Sequence, residues 1–391
     1  MSAVPINEVH CPESSRVPAS KSQPNDTSSI EDFDVAVLTH FASPYQIELF
    51  DAIEQLKPGA MVVYYLHRTH PTRNWAGNTP RHRARFFRDD PTAFLDAQKD
   101  FRTARFSIFN FYAEPPVPDL LKIRVVSGKP WCFWGERPGY RHPLLGRFLR
   151  LWKLRALHLS RQPIWGIGGW AVDAYRKEFG PDRVYVNLPY FSDLTRFQLK
   201  GDLGFSQEVN FLYSGSLSSR KGVDVLARAF CRIAQVEPRA RLKIMGQGDL
   251  EDTMKACLSS CQDRVEWLGF KDWNELPAVY ASAHFLCVPS RYDGWGLVVA
   301  EGLATGLPVI GSDRTGAALD LIKPGFNGWL VSAGGEDSLY EAMRAAAALG
   351  ERQWQAMGQH ARDSVAKHTL ADGAKQFLAA VDLALRETNA S

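Results

Sequence analysis

The sequence lacks any uninterrupted apolar run near the roughly 20 residues that a membrane-spanning helix needs. Its N-terminus also lacks a basic start followed by an apolar core, so we expect no secretory signal. These absences argue against an integral membrane protein and indicate a cytoplasmic one. Residues 1–30 are rich in Ser, Pro and Asn and poor in aromatic residues, which predicts a disordered leader.

Cysteine and net charge are also scarce. The 391 residues include six cysteines, and their spacing is not that of a disulfide framework or a metal site. We therefore expect reduced thiols and no bound metal. The net charge of +3 is too small to indicate a nucleic acid partner. The charge is unevenly spread, because the stretches 68–88 and 140–161 contain several arginines and no acidic residue.

A complete dinucleotide-binding fingerprint is missing as well. The pairs Gly166-x-Gly168 and Gly246-x-Gly248 each lie at the end of a predicted strand, but neither has the third glycine of that fingerprint. A nicotinamide-dependent dehydrogenase is therefore disfavoured.

What the sequence does contain is a regular alternation of short apolar runs and helical patterns from Asp34 onward, typical of βαβ units and a parallel sheet. The alternation stops in the polar segment 192–208 and then restarts. This predicts an α/β protein with two Rossmann-like domains, 31–205 and 206–370, facing each other across a central cleft. A final helix is expected at 371–391, with the first domain as its candidate docking surface. The predicted strands are Asp34–His40, Ala60–Leu66, Pro130–Glu136, Pro163–Gly168, Arg183–Pro189, Val209–Gly215, Arg241–Gly246, Val265–Phe270, His284–Ser290 and Pro308–Asp313.

The strongest functional pattern lies at 288–311. A predicted strand is followed by a glycine-bracketed turn that holds Asp293, and a helix begins near Gly296. A helix N-terminus offers unpaired N–H groups and a positive dipole end to a phosphate. A carboxylate accepts from two hydroxyls at once, so Glu301 suits a ribose diol and Asp293 suits sugar hydroxyls. The alternative is that Asp293 only forms the turn and Glu301 is a solvated helix residue.

Two cations, Arg220 and Lys221, follow the first strand of the second domain. Arginine as a fork and lysine as a point charge, placed beside a helix start, form a clamp for a diphosphate. The alternative is a solvated basic turn.

In this order the runs resemble glycosyltransferase family 4, a large family of retaining enzymes with the GT-B fold. The resemblance is specific across 211–330. The family's Glu-x7-Glu signature is similar to Asp293-x7-Glu301, and its Gly-Arg-Leu-x3-Lys-Gly clamp is similar to 215–222 (GSLSSRKG), where Ser216 replaces the arginine. The resemblance implies that Glu301 holds the donor ribose, that Asp293 holds the transferred sugar and that Arg220 is a candidate for the missing cation. The donor-binding residues so implied are Gly215, Ser216, Arg220, Lys221, Gly246, Gly248, Asp293, Gly294, Trp295, Gly296, Leu297 and Glu301.

The first domain is less similar to the family. In place of the family's histidine after an internal strand it has Glu136 and Arg137, which are candidates for contacting the reacting groups or, alternatively, a structural salt bridge. His40 closes the first strand at the cleft edge, where it is either an acceptor ligand or a satisfied edge histidine. The acceptor-side candidates are His40, Tyr45, Asn74, Trp75 and Arg137. The catalytic candidates are Asp293, Glu136 and Lys221.

The activity that the resemblance implies is metal-independent transfer of a hexose, with retention, from a nucleotide diphosphate sugar to a saccharide or lipid-linked saccharide. It implies no cofactor beyond this co-substrate, and a place in cell-surface polysaccharide or glycoconjugate synthesis. Two alternatives stay open. A nucleotide-sugar epimerase of the same fold would share the nucleotide site, and the changes at Ser216 and Asp293 are compatible with a non-catalytic binding subunit.

The basic stretch 142–161 suggests a further partner. Wound as a helix, it has an apolar side made of Leu145, Phe148, Trp152, Ala156 and Leu159. Its basic side holds Arg147, Arg150, His158 and Arg161, although Leu154 and Leu157 also fall on that side. Such a helix suits the anionic inner face of a membrane, with the protein peripheral to it. The alternative is an ordinary helix that packs its apolar side on the sheet.

Overall fold

The computed structural model describes residues 34–69, 79–110, 114–138, 151, 154–198, 204 and 207–389. These residues belong to one compact unit, Phe33–Ser391, in which two parallel β-sheets are flanked by helices. Among them, none of the helices combines the length and the apolar character that crossing a bilayer requires.

The first sheet carries the candidate residues of the first domain. Its strands are β1 (Val35–Phe41), β2 (Met61–His67), β3 (Ala84–Phe86), β4 (Phe106–Phe109), β5 (Trp131–Gly135), β6 (Ile164–Gly166) and β7 (Tyr185–Asn187). They pair in parallel in the order β3-β2-β1-β4-β5-β6-β7. β1 and β2 are apolar along most of their length because both faces of a parallel sheet are covered. The order reverses between β1 and β4, so their carboxyl ends border the crevice where open α/β sheets bind ligands.

Five helices accompany this sheet in the described part of the chain. They are α1 (Pro44–Leu56), α2 (Ala93–Thr103), α3 (Val117–Val126), α4 (Arg155–His158) and α5 (Gly169–Phe179). α1 begins with Pro44, a position where the missing N–H costs nothing, and it buries Ile47, Phe50 and Ile53.

The second sheet repeats the same topology. Its strands are β8 (Val209–Ser214), β9 (Ala240–Met245), β10 (Val265–Gly269), β11 (Phe285–Val288), β12 (Val309–Ser312) and β13 (Gly328–Val331). They pair in parallel in the order β10-β9-β8-β11-β12-β13, which reverses between β8 and β11. Its helices are α6 (Val223–Val236), α7 (Glu251–Cys257), α8 (Leu276–Ala281), α9 (Leu297–Thr305), α10 (Gly316–Leu321), α11 (Glu336–Ala347) and α12 (Glu351–Ser364).

The last helix, α13 (Leu370–Asn389), packs against α1 of the first domain. Its Phe377 ring contacts the rings of Phe50, Trp134 and Trp165 edge-on, at centroid distances of 6.2, 6.1 and 5.6 Å. The end of the chain therefore completes the apolar core on one face of the first sheet.

The predicted two-domain α/β architecture is confirmed by these two parallel sheets. Ten strands were expected, and each is present within two residues of its predicted bounds. The sequence pattern does not predict β3, β4 or β13. These strands have three or four residues, and β3 lies in the arginine-rich stretch 68–88, where no continuous apolar run marks a strand.

Candidate functional site

Two loops of the second domain meet where its strand order reverses, one after β8 and one after β11. The 3-10 turn Ser219–Lys221 follows β8, and the Arg220 carbonyl accepts the N–H of Arg291 at 2.9 Å. Arg291 also forms a two-pronged pair with Asp224, with both N–O distances at 2.6 Å. These hydrogen bonds hold the pKa of Asp224 below its ordinary value, and they lock the two loops together.

The predicted clamp cations converge on Asp293 in this locked region. The Lys221 ammonium donates directly to Asp293 Oδ2, and Arg220 Nη1 lies 3.9 Å from Oδ1. Lys221 and Asp293 are mostly buried, at 16% and 13% exposure, whereas Arg220 is 46% exposed. A solvated basic turn is therefore the wrong description of Lys221. An anion that enters here would meet both cations beside a carboxylate.

The glycines of the loops after β8 and β9 allow the two backbones to touch. A Cβ built at Gly246 would overlap the carbonyl oxygen of Gly215, and one at Gly248 would overlap that of Leu217. The Gly215 N–H also donates to the Met245 carbonyl at 3.0 Å. These contacts give the glycines a packing role at the carboxyl edge of the sheet.

The start of α9 is wedged between the two domains. Trp295 is 2% exposed. Its ring lies so close to Gly168 of the first domain that a Cβ at that glycine would overlap it. The same ring stacks on His368, with ring centroids 5.9 Å apart. Its indole N–H has no hydrogen-bond partner among the described residues. Gly296 then caps the helix in a left-handed conformation at φ 90°, and Leu297 is its first residue. The chain here fixes the helix N-terminus at the domain junction.

Glu301 is buried in α9, with 4% of the residue exposed. The hydroxyl of Tyr280, which is fully buried, donates to its Oε2 at 2.8 Å. Burial raises the pKa of Glu301 to about 7, against the opposing effects of the Tyr280 hydrogen bond and the Arg196 charge. The alternative of a solvated helix residue is therefore wrong, because this carboxyl lies inside the protein.

The first domain contributes Glu136, which directly follows β5. A Cβ built at Gly294 would overlap its Oε2, so the carboxylate lies against the backbone of the Asp293 loop. The Tyr175 hydroxyl donates to the Glu136 carbonyl at 2.6 Å and fixes the backbone at this point. A carboxylate of one domain thus faces the candidate donor loop of the other.

Arg137 joins the same two domains by different contacts. Its guanidinium lies 4.3 Å from the centroid of the Trp170 ring, and its carbonyl accepts the Tyr292 hydroxyl at 2.7 Å. The Trp170 and Tyr292 rings are 5.6 Å apart. The Glu136 side chain thus lies against Gly294, and the Arg137 side chain lies over Trp170.

His40 is part of a cluster at the carboxyl edge of the first sheet. Its Nε2 lies 3.2 Å from Glu114 Oε2, and Nε2 of His67 lies 2.7 Å from Oε1 of the same carboxylate. The two imidazole rings meet edge-on, 5.3 Å apart. His67 and Glu114 were not singled out from the sequence. His67 directly follows the predicted strand Ala60–Leu66, but Glu114 follows the unpredicted β4.

A buried polar network supports this edge. Gln46 Nε2 donates to Thr39 Oγ1 at 3.0 Å, Thr39 donates to Asn110 Oδ1 at 3.0 Å, and Asn110 donates to the Trp134 carbonyl at 2.7 Å. These bonds tie α1 to the ends of β1, β4 and β5, so the rim of the crevice is held by satisfied polar groups.

Of the remaining acceptor-side candidates, only Tyr45 is among the described residues. Tyr45, in the first turn of α1, packs its ring on Tyr190 at 4.7 Å. Asn74 and Trp75 lie outside the described residues.

Most of the stretch 142–161 also lies outside the described residues. The part that is described contradicts the predicted division of this stretch into an apolar and a basic side. Leu159, assigned to the apolar side, is 85% exposed, whereas Leu154 and Leu157, which fall on the basic side, are 3% exposed. The reason is that α4 has only four residues, and its Leu157 and the preceding Leu154 pack into the core under β6 and α5. The assignment of apolar and basic sides is therefore wrong for this end of the stretch.

The two parallel sheets and the junction between them define a protein of the GT-B class. Anabaena HepE, solved in complex with UDP and glucose, matches with a TM-score of 0.68 at 13% identity, over 90% of this chain and 99% of that chain. Sucrose-phosphate synthase from Thermosynechococcus elongatus matches with a TM-score of 0.65 at 20% identity, over 91% and 99%. Matches at such low identity establish only the fold, and this shared fold confirms the predicted GT-B architecture.

Sequence comparison narrows the class for the second domain. Residues 196–364 match the family model of glycosyl transferases group 1. The chain is 25% identical over 227 residues (54% of this chain, 56% of the relative) to the GDP-mannose-dependent monoacylated alpha-(1-6)-phosphatidylinositol monomannoside mannosyltransferase of Corynebacterium glutamicum. It is 31% identical over 129 residues (30% and 28%) to the mannosylfructose-phosphate synthase of Agrobacterium fabrum. The chain thus spans about half, or less, of the length of these relatives.

Proposed function

We propose that this protein is a retaining glycosyltransferase of family 4 that transfers a hexose from a nucleoside diphosphate sugar to a saccharide or a lipid-linked saccharide. The proposal rests chiefly on one observation. Lys221 and Arg220 converge on Asp293, and the next residue of that loop contacts Glu136 of the opposite domain.

The donor would lie across the carboxyl edge of the second sheet. Its diphosphate would take Lys221, Arg220 and the N-terminus of α9, because each offers positive charge or N–H groups to an anion. Its ribose diol would donate to Glu301, whose carboxylate is already oriented by the Tyr280 hydroxyl. Arg220 would supply the charge that Ser216 lacks, since its exposed guanidinium already reaches toward Asp293.

The chemistry needs negative charge to be stabilised on the departing nucleoside diphosphate. Fixed cations aimed at developing charge typically provide the largest single contribution to catalysis. Asp293 would hold hydroxyls of the transferred sugar, and Glu136 would contact the sugar or the attacking acceptor from the first domain. Because these protein cations already meet the diphosphate charge, we expect turnover without a divalent metal at the diphosphate.

The acceptor would enter on the side of the first sheet, near His40, Tyr45 and Arg137. The acid-free stretch 140–161 leads us to propose the anionic inner face of the cytoplasmic membrane as a partner surface, where a lipid-linked acceptor is presented. AmsK of Erwinia amylovora, an amylovoran biosynthesis glycosyltransferase, is 26% identical over 64% of this chain and 62% of its own. This likeness supports a role in cell-surface polysaccharide synthesis.

A thermal-shift panel of UDP-, GDP- and ADP-sugars on the full chain tests the donor site. Donors that stabilise the protein are then incubated with saccharide and lipid-linked acceptors. Released nucleoside diphosphate is quantified, and the anomeric configuration of the product is read by NMR. We expect one donor class to stabilise wild type but not Lys221→Ala, and its product to keep the donor's anomeric configuration.

Three outcomes would count against the proposal. Conversion of the nucleotide sugar into another one without acceptor would indicate an epimerase. Donor binding without turnover on any acceptor would indicate a non-catalytic subunit. Stabilisation by none of the nucleotide sugars would remove the donor site itself.

A further inference from the structure

Three side chains outside the candidate donor site converge at the carboxyl edge of the first sheet. His40 is the penultimate residue of β1 and His67 the last residue of the neighbouring β2, where His67 pairs in register with Phe41. Glu114 follows β4, which flanks β1 on its other side. The two histidines therefore lie on adjacent strands and Glu114 in the loop beyond β4, at the point where the strand order reverses.

The geometry points to a divalent transition-metal site formed by His40, His67 and Glu114, with zinc as its natural occupant. One ligand atom from each side chain can be chosen so that all lie within 4.8 Å of one another. Bonds of about 2.1 Å at a tetrahedral angle place ligand atoms about 3.4 Å apart. Nε2 of His40 lies 3.2 Å from Oε2 of Glu114 and Nε2 of His67 lies 2.7 Å from Oε1, so an ion fits after side-chain movements that lengthen the shorter separation.

The ligand set selects the kind of ion. Two imidazoles and one carboxylate suit zinc and other late first-row metals, whereas magnesium and calcium prefer sets made entirely of oxygen. Three protein ligands also leave one position of a tetrahedral ion open for water or a ligand oxygen. The side chains are 29%, 13% and 37% exposed in the order His40, His67, Glu114, so the cluster is accessible from solvent.

The imidazoles are also held in place by packing. The Phe41 ring packs against both, 3.9 Å from the ring of His40 and stacked 5.3 Å from that of His67. These two ligands, placed on strands and held by packing, therefore need less reorganisation to bind an ion than ligands on a loop. The competing reading is a cluster in which Glu114 only accepts hydrogen bonds from two imidazoles. The two readings differ in whether a metal binds.

Metal binding to full-length protein without a histidine tag decides between them. The protein is treated with chelator, desalted and titrated with Zn²⁺ by calorimetry, and with Co²⁺ while visible absorption is recorded. We expect one equivalent to bind at this cluster and Zn²⁺ to raise the melting temperature. His67→Gln and Glu114→Gln should each weaken this binding by at least about 10-fold, the loss seen when only an outer-shell partner is removed.

His360→Gln is the matched control, because this histidine stacks on Phe326 in the second domain and should leave the affinity unchanged. Melting curves without metal establish that each variant is folded, and His40→Gln replaces any variant that is not. The proposal would be overturned if wild-type protein bound neither Zn²⁺ nor Co²⁺ when ion and protein were present at equal concentrations. Binding of equal affinity in wild type, His67→Gln and Glu114→Gln would overturn it as well. Neither result bears on the donor site, whose residues lie in the other domain.

Discussion

The carboxylate of Glu136 lies directly on the backbone of Gly294, so that any side chain at position 294 would overlap it. Glu136 belongs to the first domain and Gly294 to the loop that holds Asp293. This contact brings a charged side chain of the first domain against the candidate donor loop of the second. It makes position 294 a sensitive test of whether the two domains act as one site.

We expect Gly294→Ala to lower turnover at least about 10-fold while leaving the protein folded. The added methyl group must displace the flexible end of Glu136, which costs little stability but moves the carboxylate from its place. Gly350→Ala is a control, because a Cβ there meets nothing within 4 Å. Steady-state kinetics and melting curves of both variants provide the measurement. Unchanged turnover in folded Gly294→Ala would show that Glu136 is not required at this position.

Glu301 predicts a specific pH dependence of stability. Burial raises its pKa from 4.5 to about 7, so the folded state holds this proton more tightly than the unfolded state does. The stabilisation is fully present below the unfolded pKa and is lost as pH rises through the folded value. The shift corresponds to about 3 kcal/mol in total.

Glu301→Gln removes this titration and keeps the shape of the side chain. The unfolding free energy of wild type relative to Glu301→Gln should therefore fall between pH ~5 and ~8, as denaturant titrations can measure. A relative stability that stays constant over this range would contradict the buried placement. Donor affinity of wild type should rise over the same range, because the ionised carboxylate is the better acceptor for a ribose diol.

Lys221 should be the most costly cation to remove. We expect Lys221→Ala to lower turnover about 10²-fold, the loss typical of one preorganised contact to developing charge. The substitution also leaves the mostly buried Asp293 without its direct partner, so part of the loss appears as reduced stability. Rates are therefore normalised to folded protein. Lys255→Ala is the matched control, because this lysine is 49% exposed and pairs with Glu251 on α7. Equal rates for the two variants would show that residues other than Lys221 bind the diphosphate.

The limits of the sequence pattern are visible in particular residues. The βα alternation predicts the architecture because parallel strands buried on both faces leave a continuous apolar run, as β1 and β2 do. Loop motifs predict which residues lie at strand ends, and Lys221 and Asp293 do meet there. Contacts between distant segments carry no such local signal. Tyr280 reaches Glu301 only through the packing of α8 on α9, and Glu114 reaches His40 and His67 only because the four-residue β4 lies beside β1.

Turnover should persist in excess EDTA, because in the proposed donor site Lys221 and Arg220 would meet the charge of the diphosphate. Release of nucleoside diphosphate with and without chelator is the measurement. Complete loss that Mg²⁺ or Mn²⁺ restores would overturn the metal-free mechanism. Loss that only Zn²⁺ restores would instead trace to the His40–His67–Glu114 cluster, because two imidazoles and a carboxylate favour that ion.

The proposal of a membrane-binding surface rests on charge alone, because the exposed Leu159 and the buried Leu154 and Leu157 contradict the predicted amphipathic pattern. Arg155 and Arg161 are exposed, and the stretch contains no acidic residue. Each cation near an anionic bilayer adds about 1 kcal/mol, and salt screens this attraction within about 10 Å at 0.1 M. We therefore expect co-sedimentation with anionic vesicles at low salt that is lost at high salt.

Arg147→Glu with Arg150→Glu should weaken this binding strongly, because two attractive charges become repulsive. Arg352→Glu with Lys375→Glu makes the same change in net charge at exposed positions of the second domain and the C-terminal helix. If the attraction is local to 142–161, only the first pair of substitutions reduces the bound fraction. If both pairs reduce it equally, the attraction comes from overall charge and the local surface is refuted. Equal recovery of wild type in the supernatant with and without anionic vesicles at low salt would refute membrane binding altogether.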